Sequence, residues 1–208
     1  LNYTNTGPLV IGTVTTIGGL TTSNGHVTVS ANGGLRVNQS VASGSGTVNF
    51  LSSGTSGIIL NADVTTTGGD VILRAPDAGV AQTGGRISTG AGGLGVAARH
   101  GVSFPGANMV RTLGVNLSEP GAGVLFVNHG PLIIGTVTTI GGVATNGCAV
   151  SVSAVGNLTI SSPVSAGAAG VTLAATGPGS ALHLNAPVAG GTVAIQADVR
   201  NITSQVSG

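Results

Sequence analysis

Charge is the scarcest property of this chain. Only 5% of its 208 residues are charged, where an ordinary soluble domain carries about 25%. All six cations are arginine, lysine is absent, and five acids leave a net charge of +1. That balance leaves no basic footprint for a nucleic acid, and aromatics at 2% supply no stacking platforms. A single cysteine excludes a disulfide scaffold. The most apolar stretch, 124–137, is broken by Asn128, His129, Gly130 and Pro131, short of the ~20 residues that a spanning helix needs. Tyr3, Phe50, Phe104 and Phe126 are too few for the two aromatic girdles of an outer-membrane barrel. A membrane-embedded chain is therefore not expected. The first residues carry neither an initiator Met nor a basic n-region, so the chain reads as a segment of a longer protein.

What is abundant narrows the class further. Hydrophobic residues at 41% contradict a disordered tail. The 38 glycines do not fall at every third position, which excludes collagen. They interrupt every window that could form a long helix, which excludes a helical bundle.

The chain also repeats itself. Gly7-Pro8-Leu9-Val10-Ile11-Gly12-Thr13-Val14-Thr15-Thr16-Ile17-Gly18-Gly19 returns at 130–142, an offset of 123 residues. Beyond that block Val27, Val29, Leu35 and Val41 match Val150, Val152, Leu158 and Val164, and Tyr3 falls on Phe126. Residues 1–123 are thus a first long repeat and 124–208 a second, incomplete one, expected to form one continuous body. A shorter period lies inside. Val27, Val48 and Val71 are spaced by 21 and 23 residues, and Val150, Val171 and Val193 by 21 and 22. Each lies in an alternating apolar segment bounded by Gly, Asn or Ser, the signature of a short strand. A fixed period in this range means a solenoid. With no helix-length pattern and no leucine-rich frame, the expected fold is an all-β parallel β-helix. It should have roughly 20–24 residues and three short strands per coil, in about nine or ten coils.

Stacking gives the composition a cause. Equivalent residues on successive coils lie at strand spacing, so a ladder of like charges costs about 1 kcal/mol per step even in water. Thr, Ser, Val and Ile stack without that penalty, and Asn ladders can hydrogen-bond along the axis. Glycine suits tight corners.

Several segments resemble a known family. They include Gly79-Val80-Ala81-Gln82-Thr83-Gly84-Gly85-Arg86-Ile87-Ser88-Thr89, the stretch Val102-Ser103-Phe104-Pro105-Gly106-Ala107-Asn108-Met109-Val110, and Leu158-Thr159-Ile160 with Val164-Ser165-Ala166-Gly167. They are similar to the β-strand repeats of filamentous-haemagglutinin-like exoproteins and bacterial autotransporter passengers. The resemblance implies a right-handed β-helix, secretion to the bacterial cell surface or beyond, and a role in adhesion or extracellular matrix. The family's Asn-Pro-Asn-Gly-Ile secretion motif, an Arg-Gly-Asp tripeptide and a translocator barrel are all missing from these residues, so the segment corresponds to stalk.

No chemistry-bearing motif survives its structural alternative. Gly90-Ala91-Gly92-Gly93-Leu94-Gly95 matches GxGxxG but lacks the following helix and the acidic residue of a dinucleotide site, so it reads as a coil corner. Gly68-Gly69-Asp70-Val71 hints at a calcium β-roll whose nonapeptide does not recur, and Asp63, Asp70 and Asp77 read as solvated turn carboxylates. His26, His100, His129 and His183 form no ligand pair, and Cys148 has no partner. Cys148 therefore reads as a small apolar filler. Four Asp and one Glu are too few for the paired carboxylates of a β-helical lyase or glycosidase. Thr13-Val14-Thr15 and Thr136-Val137-Thr138 lie too far apart for an ice-binding face. The sequons at Asn2, Asn38, Asn116, Asn157 and Asn201 read as accidental in so Asn- and Ser-rich a chain, against glycan attachment in a secreted eukaryotic one.

No catalytic, cofactor-binding or metal residue is expected, and the chain is not expected to be an enzyme. The expected role is a structural β-helical segment of a large secreted bacterial surface adhesin or extracellular fibre. The alternatives are a polysaccharide-binding or polysaccharide-cleaving β-helix and an ice-binding solenoid. Expected partners are further repeats of the same chain, an end-to-end homo-oligomer, or a host-surface or matrix polysaccharide.

Overall fold

A computed structural model describes residues 1–202 and 206–207. The described residues contain no helix and form a parallel β-solenoid of about eight turns with about 23 residues per turn. The expected β-helix is therefore present. It has about eight turns where nine or ten were expected, and two of them, from Leu9 to Leu35 and from Val124 to Val150, are lengthened to 26 residues by a hairpin that adds no rise. At ~4.8 Å per rung, eight turns span roughly 38 Å.

Each early turn has three sides. The first carries a five- or six-residue strand, as in Val27–Ala31, Val48–Ser52, Val71–Ala75, Gly93–Ala98 and Thr112–Leu117. The second carries Leu35–Val37, Ile58–Leu60 and Val80–Gln82. The third carries two-residue strands, Leu20–Thr21, Val41–Ala42, Val64–Thr65 and Ile87–Ser88. Alternation sends every second side chain inward, where like sits on like: Val27 on Val48 on Val71, then Leu94 and Leu113. All five are fully buried. Burying a Val or Leu side chain contributes about 1.5–3 kcal/mol, and these ladders run the length of the rod.

The sides then exchange roles. On the second side the strands Val102–Asn108 and Val124–Asn128 lengthen, with a bulge between Phe104 and Asn108. The third side persists only as a bridge from Ser88 to Met109. The first side splits, since Thr112–Leu117 pairs with both Leu132–Ile134 and Val143–Ala144. From there the long strands, Val150–Val155, Gly170–Thr176 and Thr192–Gln196, lie on the second side. An offset of 123 residues at about 23 per turn is five turns and a third. The second long repeat therefore enters the stack one side later than the first.

Corners are closed by a hydroxyl and a glycine. Ser43, Thr66 and Thr89 are buried, and each donates its hydroxyl to the carbonyl three residues on, at Gly46, Gly69 and Gly92. The glycines are stacked so closely that a Cβ on Gly69 would lie 2.1 Å from the Gly46 carbonyl oxygen, and one on Gly92 2.2 Å from that of Gly69. Close backbone approach fixes glycine at positions 46, 69 and 92 of this corner, and positive φ favours it at Gly44 and Gly90. One Asn-on-Asn step of the kind that stacking allows is present: Asn61 donates to Asn38 at 2.6 Å and accepts from the Thr83 hydroxyl.

Candidate functional site

Ionisable side chains are spread along the rod. Asp63, Asp70 and Asp77 occupy three different corners of one turn. Asp63 accepts from the Arg86 amide at 2.9 Å and Asp70 from the Gly93 amide at 2.8 Å, each tying its corner to the next turn. Asp77 lies 3.8 Å from Arg99, which in turn meets Glu119 at 2.9 Å. These three sit on successive turns and alternate in sign, the arrangement that stacking favours. The hydrogen bond from Arg99, followed by its charge, holds the Glu119 carboxyl below its usual range, and Glu119 raises Arg99 in return. All three side chains are largely solvated, so the ladder contributes little to stability.

His26, His100 and His129 are exposed and His183 half-buried, each on a different turn. No group of three or more His, Cys, Asp or Glu able to hold a metal occurs among the described residues. Cys148 is buried, its sulfur accepts from the Gly121 amide at 2.8 Å, and its carbonyl accepts from the Thr145 hydroxyl. It takes the glycine's place in the corner motif. Gln82, Asn108 and Asn128 are buried polar residues at the seam where the second and third sides merge. Gln82 and Asn108 bond each other, and Asn128 bonds both the amide and the carbonyl of Val110. Each of these groups is satisfied within the rod. The sequon that begins at Asn201 extends into Thr203, outside the described residues.

The Gly90–Gly95 segment divides. Gly90 and Gly92 form the corner, whereas Gly93 and Gly95 lie in the strand Gly93–Ala98. With Gly114 on the next turn they line a shallow seat on the outside of the first side. The two Thr-Val-Thr segments leave the coil altogether. Residues 13–18 and 136–141 are antiparallel hairpins, with φ of +58° at Thr15 and +55° at Thr138. The second hairpin folds back onto the seat: Ile140 is so close that a Cβ on Gly114 would lie 2.3 Å from its carbonyl oxygen, and one on Gly93 2.5 Å from Val137 Cγ2. Sequence reasoning missed this seat. Its signal is a set of outward glycines on adjacent strands opposite a duplicated apolar hairpin.

A concavity of about 650 Å³ lies at the first end of the rod. Tyr3, Leu9, Ile11, Val14, Ile17 and Leu20 are among its walls, and no charged side chain lines it. It brings together the end of the core ladders and the inner flank of the first hairpin. Chemically it offers apolar surface and strand edges. Comparison with protein-family models, with curated proteins and with solved structures finds no match.

Proposed function

We propose that this chain is a structural, non-catalytic segment of a large secreted bacterial surface protein, an adhesin stalk or an extracellular fibre. The observation that carries the reading is the continuity of the stack. Both long repeats feed the same two long parallel sheets, and the polar groups turn back into the rod to hold corners and seams. A repeat that adds rungs without adding chemistry is suited to setting a length. The resemblance to filamentous-haemagglutinin-like repeats supplies the location, by analogy of fold. In this role the segment holds a more distal part of the molecule away from the cell, and adjoining repeats of the same design are its partners.

The test is immunogold microscopy of intact producing cells with an antibody against this segment. Label along projections outside the envelope is expected. Label confined to the cytoplasm of sectioned cells overturns the proposal.

A further inference from the structure

The two hairpins share sequence, strand pairing and the positive φ of their first turn residue. Their surroundings differ. Val137 and Ile140 are 3% and 7% exposed on the glycine seat, whereas Val14 and Ile17 are each 78% exposed. The contrast extends to residues nearby. Tyr3 is 49% exposed, but its counterpart Phe126 is fully buried, edge-on to Phe104 with ring centres 6.0 Å apart. Leu1 is 57% exposed and its counterpart Val124 only 3%. Asn5 donates to the Gly7 and Pro8 carbonyls. Asn128 makes the matching bonds to Gly130 and Pro131, and adds the pair with Val110 on the preceding turn. In the second copy, Gly93, Gly95, Phe104, Val110 and Gly114 meet these groups. In the first, no counterpart stands there among the described residues.

We propose that the end formed by Tyr3, Asn5, Val14 and Ile17 is a docking surface for further solenoid of the 93–117 pattern, one turn and its return strand, stacked in line ahead of Asn2–Asn5. The chemistry of the occupant follows from what the second copy uses. Outward glycines on two successive strands admit the hairpin, an inward phenylalanine meets Tyr3, and a backbone amide and carbonyl meet Asn5. The 650 Å³ concavity is then a cross-section of core. It is closed by strand pairing, which also covers the exposed edge. No charged side chain lies on its walls. This inference goes beyond the stalk reading, since it holds wherever the rod is displayed.

The experiment compares the 208-residue chain with one extended by a second copy of residues 1–123 ahead of Leu1. Both carry Cys148→Ala and a single Val14→Cys in the original copy, and maleimide labelling is timed. Labelling is expected to be fast in the original chain. In the extended chain it should be at least about tenfold slower, matching a Val137→Cys control, because reaction then waits on local opening. A second readout needs no cysteine. The chain has one Tyr and no Trp, so with the added copy's tyrosine changed to Phe, acrylamide quenching of Tyr3 should fall on extension. Equally fast labelling in both chains, with the Val137→Cys control still slow, overturns the proposal. So does an extended chain that fails to fold while the original folds. Neither result bears on surface display, which the immunogold test decides separately.

Discussion

Removing the same atoms from the two hairpins should have very different costs. Ile140→Ala deletes three carbons from a side chain that is 7% exposed over Gly95 and Gly114. At about 0.8 kcal/mol per buried methylene the transfer term alone is about 2.4 kcal/mol. A residual cavity adds to that, within the 2–5 kcal/mol range of buried Ile→Ala changes. The seat lies at the surface, where neighbours relax easily, so we expect about 2–3 kcal/mol. Ile17→Ala deletes the same carbons from a side chain 78% exposed, and should stay within about 0.5 kcal/mol. Urea unfolding followed by far-ultraviolet circular dichroism measures both. Because stacked turns can open piecemeal, maleimide labelling of Val137→Cys serves as a local check. Equal losses from the two variants, or a larger loss at Ile17, would refute the view that the glycine seat is what distinguishes the hairpins.

Three further outcomes follow from the geometry. Gly69→Ala forces a Cβ against the Gly46 carbonyl; it should lower the urea midpoint by an amount equivalent to about 1–3 kcal/mol, the cost of overpacking. Thr138 holds φ of +55°, a region unfavourable to a β-branched residue. Thr138→Gly should therefore raise stability by up to about 1 kcal/mol, and an unchanged or lower midpoint counts against strain there. Glu119 has its pKa lowered by Arg99, so its contribution is present above the unfolded carboxylate pKa and lost as pH falls through the folded one. Acid titration of the unfolding midpoint should lose a small component below about pH 4.5 in Glu119→Gln, and identical profiles exclude it.

Much of this architecture was legible because it is local and periodic. The step between Val27, Val48 and Val71 set the turn length, and those residues stack as the period requires. The scarcity of charge follows from stacking, and the charges present are arranged to suit it in Asp77, Arg99 and Glu119. The hairpins were not legible. Thr13-Val14-Thr15 alternates like any coil strand, and what buries its twin is a set of glycines more than twenty residues earlier in the chain. The change of side was hidden for a related reason. The 123-residue offset shows in the sequence, but its fractional turn becomes visible only when Thr112–Leu117 is seen to carry two strands. The Ser/Thr-x-x-Gly corner was readable at 43, 66 and 89, yet in a chain so rich in both residue types it does not stand out from chance. For the open end, composition excludes charged chemistry, but only comparison of Tyr3 with Phe126 in three dimensions says what is missing there.

The most direct test of the rod itself is the length added by one repeat. Small-angle scattering of the 208-residue chain and of the chain extended by residues 1–123 gives the length and cross-sectional radius of each. At about 23 residues per turn and ~4.8 Å per rung, the extension should lengthen the particle by about 26 Å with an unchanged cross-section. A thicker particle of unchanged length, or two bodies joined at varying angles, would contradict a continuous stack.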